Sequence, residues 1–543
     1  MRRHKIAIIG LDGATFKIVM PLAKAGALPN LQRLMSIGGW GTLRSTLHPL
    51  SPPAWASFMT GMNPGKHGIF DFVILGDSNR FQIANGGTLR AETLWMHLSR
   101  AGQRVAVVNV PMTYPPEPVN GFLIAGMDAP RWDRASTYPP DLAEKLHHLF
   151  GEYRVGVQAR GGLLSSVERF IPRYIGNLLE GVHKRGEVTR YLLERYPLDF
   201  LIVVFTATDR VQHALGHLIA EGVSPNDEIG RVYQACDRAI GRLLEQMGDD
   251  WIVFVISDHG ACTYHWVFEL STWLVTQGWM QLRPARRCGW RRVTELVDPV
   301  HRRLARMVRR TVDQPPKLSR FLSRLIWEET RAFALGAFGS IYVNLKGRFP
   351  KGTVKPGREY EAVCAEIEEE LLSVRNPETG APIVRAVHRA RQVYHGRYAH
   401  LAPDLLVDTF EDYFVRSNID HLEGRIVYPA GRYQGRLLPH TARHTQDGIL
   451  IAAGPPIAPG KKPDGARLID LAPTILYLKG LPVPSSMDGQ PLLDWVHADY
   501  RRKYPVEWDA SMEMERGERS GTIYNQQETA TVEARLRDLG YIG

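Results

Sequence analysis

Three apolar runs along this 543-residue chain each stop on residues that carry chemistry. KIAIIGLDG (5–13) ends at Asp12, DFLIVVFTATD (199–209) ends at Asp209, and WIVFVISDHG (251–260) ends at Asp258 and His259. The runs are short, unbroken and rich in Val and Ile, and long stretches of helical period separate them. That is the pattern of parallel strands in an α/β sheet buried on both faces. Such sheets bind ligands outside the carboxyl ends of their strands. Three strands are therefore expected to bring carboxylates and an imidazole to one edge.

The same pattern divides the chain. Residues 1–127 read as strand–helix units, the first part of an α/β core. Residues 128–198 begin with the Pro-rich ASTYPPDL stretch and then place apolar residues at spacings of three and four, which predicts a helical insertion capping the core. Sheet patterning resumes over 199–280, and 281–330 reads as a second, basic helical insertion with Val300, Leu304, Met307 and Val308 on one face. SIYVNL (340–345), PDLLVDTF (403–410) and DGILIAAGP (447–455) predict later strands, so that 331–495 completes the core. DLAPTILYLKGLP (470–482) predicts a helix with a glycine stop. Residues 496–543 form a polar tail, expected to wrap the surface or to be partly mobile.

Composition adds two points. Thirteen Arg or Lys and three acidic residues lie in 283–324, an excess equal to the +10 of the whole chain. The basic balance is thus one local element, which argues against a general nucleic-acid surface and for peripheral contact with an anionic surface through 283–324, or else for a solvated helical face. Cys236, Cys262, Cys288 and Cys364 form no CxxC pair. They read as free thiols of a reducing compartment. The N-terminal apolar run is too short for a signal peptide, and no segment approaches the roughly 20 apolar residues that span a bilayer. The expected location is cytoplasmic.

The residues at the strand ends are ordinary one by one. Asp12-Gly13 is a common turn. Ser51, ahead of Pro52 and Pro53 in HPLSPPAWASFMTG (48–61), reads as a helix N-cap. A hydroxyl at that position also faces the positive end of a helix dipole, which favours an anionic phosphate. Asp209 and His213 share a helix face at i, i+4. Asp258-His259-Gly260 closes a strongly apolar strand, where adjacent polar residues are costly unless used, and Gly260 is expected to turn the backbone sharply. His444 precedes a predicted strand. Together these residues fit one scheme, because carboxylates plus imidazoles suit Zn²⁺, with Mn²⁺ as an alternative. They are enough for two divalent ions about 4 Å apart.

The matching stretches are IIGLDG, the S-x-P-x-W-x-S-F-x-T-G-x-x-P-G-K-H-G-I run from Ser51 to Ile69, TATDRVQH, ISDHG, RHTQDGILIAAGP and DLAPTILYLKGLPVPSSMDGQPL. By these the chain resembles the alkaline phosphatase superfamily, and within it the type I phosphodiesterase/nucleotide pyrophosphatase family, from residue 1 to about 495. The resemblance implies an alkaline-phosphatase-like core, a mostly parallel sheet flanked by helices. It implies one metal on Asp209, His213 and His444, and another on Asp12, Asp258 and His259 with Ser51 bridging towards it. It also implies attack by Ser51 on phosphorus and a covalent phosphoseryl intermediate that water hydrolyses. Two departures stand out. The family's nucleotide pyrophosphatases carry an asparagine three residues after the nucleophile, and here Ala54 takes that place. The Cys/Ser-x-P-x-R signature of sulfatases is broken by Trp55. The expected substrate is a small phosphate ester, with a phosphomonoesterase or phosphomutase of the same superfamily as the alternative.

Overall fold

The computed structural model describes residues 4–156, 167–283, 317–417, 424–430, 432–433, 436–437, 442–512, 516 and 523–538. Most of the basic 283–324 segment, and the predicted helix at 299–312, therefore lie outside the described residues.

The core is an eight-stranded sheet. Its strands are β1 (Lys5–Leu11), β2 (Gly39–Arg44), β3 (Val105–Val110), β4 (Gly121–Ala125), β5 (Thr137–Tyr138), β6 (Phe200–Phe205), β7 (Trp251–Ile256) and β8 (Asp447–Ala453). They lie in the order β2-β8-β7-β1-β6-β3-β4-β5. The five from β7 to β4 run parallel, and the outer pairings β2–β8, β8–β7 and β4–β5 are antiparallel. β1 is central, with Ile6 opposite both Phe200 and Ile252. The three strands ending at Asp12, Asp209 and Asp258 are thus direct neighbours.

Alternation along β1 explains its unbroken hydrophobicity. Ile6 and Ile8 join one core cluster with Trp55, Phe58 and Trp95, whereas Ala7 and Ile9 join the cluster on the opposite face. Helices cover both faces, so every side chain of the central strands leaves water. On the second face the long helix α2 (Val167–Arg195) packs Ile175, Leu178, Val182 and Leu192 with Ile229, Val232, Tyr233 and Ile240 of α4 (Glu228–Leu244). The first face is led by α1 (Ser51–Thr60), and α3 (Ala207–Leu215) follows β6.

A smaller unit stands beside the sheet. Strands Ala332–Ala334, Ser340–Val343, Leu405–Thr409 and Val384–Arg389 form an antiparallel sheet with its own core, packed with helix Arg358–Ser373. The strands expected at 340–345 and 403–410 form, but in this sheet and not in the central one; Asp447–Ala453 does join the central sheet. The helix predicted at 470–482 is Leu471–Leu478, followed by Gly480 at φ 65°. The C-terminal helix Gln526–Asp538 returns to the core, where Val532 and Leu536 are buried.

Candidate active site

All seven candidate residues meet at the carboxyl edge of β1, β6 and β7, and all are buried. Asp12 follows β1, and Gly13 then takes φ 67°, a conformation that suits glycine. This turn points the Gly13 N–H at Asp258 Oδ1, 3.0 Å away. Asp209 and His213 lie one turn apart on α3. Asp258 and His259 leave β7. His444 sits in the short strand Ala442–Thr445, paired antiparallel with Gly260–Thr263 so that His444 lies opposite Ala261.

Two expectations are corrected here. Gly260 has no positive φ and makes no sharp turn. It begins the Gly260–Thr263 strand, and its role is close approach, since a Cβ there would lie 2.2 Å from the Asp447 carbonyl oxygen. Ser51 is the first residue of α1 and not its cap. Leu50 takes the cap position and no side chain caps the helix. The Ser51 hydroxyl is released from capping as a result, and its Oγ lies 3.4 Å from His259 Nε2.

The ligand-type atoms converge in two groups. Asp209, His259 and His444 offer atoms within 4.8 Å of one another, and so do Asp12, Asp258 and His259. His213 adjoins the first group, its Nε2 lying 2.9 Å from His444 Nε2 and 3.2 Å from Asp209 Oδ1. His259 belongs to both groups because its ring stacks on that of His444, at 3.6 Å between centroids and 16° between planes. That shared position differs from the family expectation, which gives His259 to one ion and completes the other with His213.

Neighbours fix how these groups present themselves. His444 Nδ1 lies 2.8 Å from the Pro49 carbonyl oxygen, and His259 Nδ1 lies 3.0 Å from that of Gly260. A carbonyl only accepts, so each Nδ1 carries the proton and each Nε2 turns a lone pair into the cluster. Asp12 Oδ1 and Asp258 Oδ2 are buried without a hydrogen-bond partner among the described residues. Unsatisfied carboxylate oxygens facing imidazole lone pairs are costly in a protein interior unless a cation joins them. The residues present therefore fit divalent metal ions.

Charge differs between the groups. Burial, reinforced by Asp258 and Asp209, holds the Asp12 carboxyl well above the usual range. Burial, with Asp209 adding to it, pushes Asp258 to about 7. Asp209 is also buried, but His213 and His444 outweigh that effect and hold it well below the usual range. Burial, then the neighbouring His259, lowers His444 to about 3.

Three supporting residues escaped the sequence reading. Thr208 Oγ1 donates to the Asp12 carbonyl oxygen (2.6 Å), and Gln212 Nε2 donates to that of Gly13 (3.0 Å), so α3 is pinned to the turn after β1. Their i, i+4 spacing within TATDRVQH was the available signal. Phe338 has φ 60°, and its ring lies 5.1 Å from that of His444. It comes from the turn between Ala332–Ala334 and Ser340–Val343 of the smaller sheet, and nothing in its local sequence marks it.

Comparison with known proteins supplies a family and a fold. A family model described as type I phosphodiesterase/nucleotide pyrophosphatase matches residues 6–432. Phosphonoacetate hydrolase from Sinorhizobium meliloti, solved with phosphonoformate, has a similar fold at a TM-score of 0.54 and 17% identity, over 88% of this chain and 95% of that one. Murine ectonucleotide pyrophosphatase/phosphodiesterase 5 aligns at a TM-score of 0.47 and 13% identity, over 91% of this chain and 100% of that one. A 56-residue stretch is 45% identical to the 2,3-bisphosphoglycerate-independent phosphoglycerate mutase of Rhodopirellula baltica. That match spans only 10% of this chain and 10% of the mutase.

Proposed function

The chain belongs to the type I phosphodiesterase/nucleotide pyrophosphatase family, a family of phosphoric ester hydrolases, and on that premise we propose that it is a two-metal hydrolase of small phosphate esters with Ser51 as nucleophile. The observation that carries the reading is the Ser51 hydroxyl. Of the buried hydroxyls nearest the cluster, Thr208 Oγ1 donates to the Asp12 carbonyl and Ser257 Oγ donates to that of Ala14. Among the described residues Ser51 Oγ is bound to no backbone carbonyl, and it faces His259, the residue shared by both ligand groups.

Asp209, His213 and His444 would hold one ion, and Asp12 and Asp258 the other, with His259 assigned to the latter by family resemblance. Zn²⁺ suits this mixed nitrogen and oxygen donor set, with Mn²⁺ the alternative. Bound there, divalent ions supply Lewis-acid stabilisation of phosphoryl charge and lower the pKa of a nearby hydroxyl. The chain's own residues do the rest. Ser51 Oγ forms a bond to phosphorus as the ester oxygen leaves, which gives a phosphoseryl enzyme. Water then attacks phosphorus and the bond to Ser51 Oγ breaks, which frees phosphate from a monoester or a phosphomonoester from a diester and restores the serine. The α1 N-terminus, backed by Pro52 and Pro53, faces the phosphoryl group with its positive dipole end.

No described helix is long and apolar enough to cross a membrane. Cys236, Cys262 and Cys364 are free and buried, which supports a cytoplasmic location. A phosphomutase is the second reading, favoured by the short match to the phosphoglycerate mutase. Purified protein assayed on aryl phosphate mono- and diesters, with and without chelator, tests the proposal. Metal-dependent release of the aryl alcohol, with phosphate formed from the monoester or a phosphomonoester from the diester, supports it, and transfer of the phosphoryl group to a second hydroxyl without its release to water favours the mutase. Full activity in a chelator-treated, metal-free sample would refute it.

A further inference from the structure

Beside the carboxylate and imidazole cluster lies a second buried feature that the hydrolytic scheme leaves unused. Arg210, the residue after Asp209, is 5% exposed. One terminal nitrogen, NH1, has no hydrogen-bond partner among the described residues, and the other meets only Met127 Sδ at 3.5 Å. Arg535, on the C-terminal helix, is equally buried. Its NH1 donates to the carbonyl oxygens of Met127 and Ala129, its NH2 donates to that of Pro130, and its Nε has no hydrogen-bond partner among the described residues. Neither guanidinium forms an ion pair with a carboxylate among the described residues. Asp128 lies nearby, but its two carboxylate oxygens accept from the Met112 and Tyr114 amides. Two buried guanidiniums that share Met127 and keep N–H donors with no hydrogen-bond partner among the described residues are costly unless an acceptor joins them.

The place of these arginines suggests what that acceptor is. Met127 and Asp128 follow β4, so they sit at the same carboxyl edge as the metal-ligand candidates. Arg535 lines a cavity of about 870 Å³ with Trp132 and Tyr153. At the same cavity Arg131, Arg134 and Arg154 already hold Asp133, Glu144 and Glu152. Arg173 also lines the cavity but is exposed; of the two buried guanidiniums, Arg535 sits at the cavity, and Arg210, the residue after Asp209, meets the same Met127 that Arg535 binds. Arg210 is among the charges that favour the ionised form of Asp12.

We propose that Arg210 and Arg535 form a subsite for a second anionic group, so that the substrate is a phosphate ester whose remaining portion carries its own phosphate, sulfate or carboxylate. The subsite stands on its own residues. Its assignment to a substrate rests on the ester-hydrolase reading. It would also give the C-terminal helix a function, since that helix supplies Arg535 from the far end of the chain. A guanidinium holds such an oxyanion through paired N–H donors, which an ammonium cannot fully reproduce.

The test uses metal-loaded full-length protein and a matched pair of aryl phosphate esters, with and without a carboxylate on the leaving group. In wild type, kcat/KM should favour the carboxylated ester. In Arg210→Gln and Arg535→Gln that preference should fall about tenfold, the effect of losing one charge-assisted contact, and Arg210→Lys should restore part of it. The same preference in wild type and variants would overturn the subsite. Sulfate binding by calorimetry is independent of turnover. It should weaken about tenfold in Arg210→Gln and persist in Arg210→Lys, and equal affinity in all three proteins would also overturn the proposal. If wild type hydrolyses neither ester, the ester-hydrolase reading fails, and the sulfate titration alone decides the subsite.

Discussion

The two ligand groups share His259 and a single sheet edge, yet they are built oppositely. Around Asp209 one carboxylate faces the imidazoles of His213 and His444, at 3.2 and 3.4 Å. Around Asp12 two carboxylates crowd one imidazole, at 3.8 Å for Asp12 and 3.4 Å for Asp258. The first group is electrostatically satisfied by its own members, so Asp209 stays ionised. The second is frustrated, and Asp12 and Asp258 are pushed towards protonation. The contrast lies in how each group balances its charge without a metal. Without metal the nitrogen-rich group has internal partners, whereas the carboxylate-rich group relies on protons to relieve its repulsion.

The largest expected effect comes from attacking the nitrogen-rich group in the loaded enzyme. Asp209→Ala should remove one of two bound metals, read by elemental analysis, and lower kcat/KM by on the order of 10³-fold, because metal-assisted charge stabilisation is worth several kcal/mol. The next effect separates the groups by sign. In metal-stripped protein, Asp12→Asn should raise unfolding stability by about 1 kcal/mol by removing a crowded charge, whereas Asp209→Asn should lower it by about 1–3 kcal/mol by breaking a buried pair. Denaturant unfolding of both variants checks this, and the same sign for the two would break the comparison.

A smaller effect isolates burial from like-charge crowding. Asp71 is buried away from both groups, and burial pushes its carboxyl to about 8 although it accepts from the Phe72 and Ala337 amides. A folded pKa above the unfolded value of about 3.9 means that the folded state binds the extra proton between these two values. The stabilising contribution is therefore full below about pH 4 and is lost as pH rises through about 8. Asp71→Asn should flatten that decline by up to about 1.4 kcal/mol per pH unit, measured as the change in wild-type minus variant stability from pH 5 to pH 8.

The sheet edge was legible because burial on both faces leaves an unmistakable apolar run, and three such runs end in Asp12, Asp209 and Asp258. The smaller antiparallel sheet was not. Its strands are three to six residues long, too short for periodicity to say which sheet they join. Ser51 was found through its motif but misplaced by one position, since proline suits the first turn of a helix whether the cap is Ser51 or Leu50. Arg210 and Phe338 could not be read at all. A buried guanidinium looks like a surface charge in a sequence, and a positive φ at phenylalanine has no local signature.

The central claim is that Ser51 is the nucleophile, and rapid quenching during turnover tests it most directly. Metal-loaded protein mixed with an excess of aryl phosphate ester, quenched in acid and digested for mass spectrometry, should yield a phosphoryl adduct on the peptide carrying Ser51. Ser51→Ala should show no adduct and should lose activity by on the order of 10³-fold or more, while its stability changes by only about 1 kcal/mol. Wild-type turnover in Ser51→Ala, or an adduct on another residue in the wild type, would contradict the account.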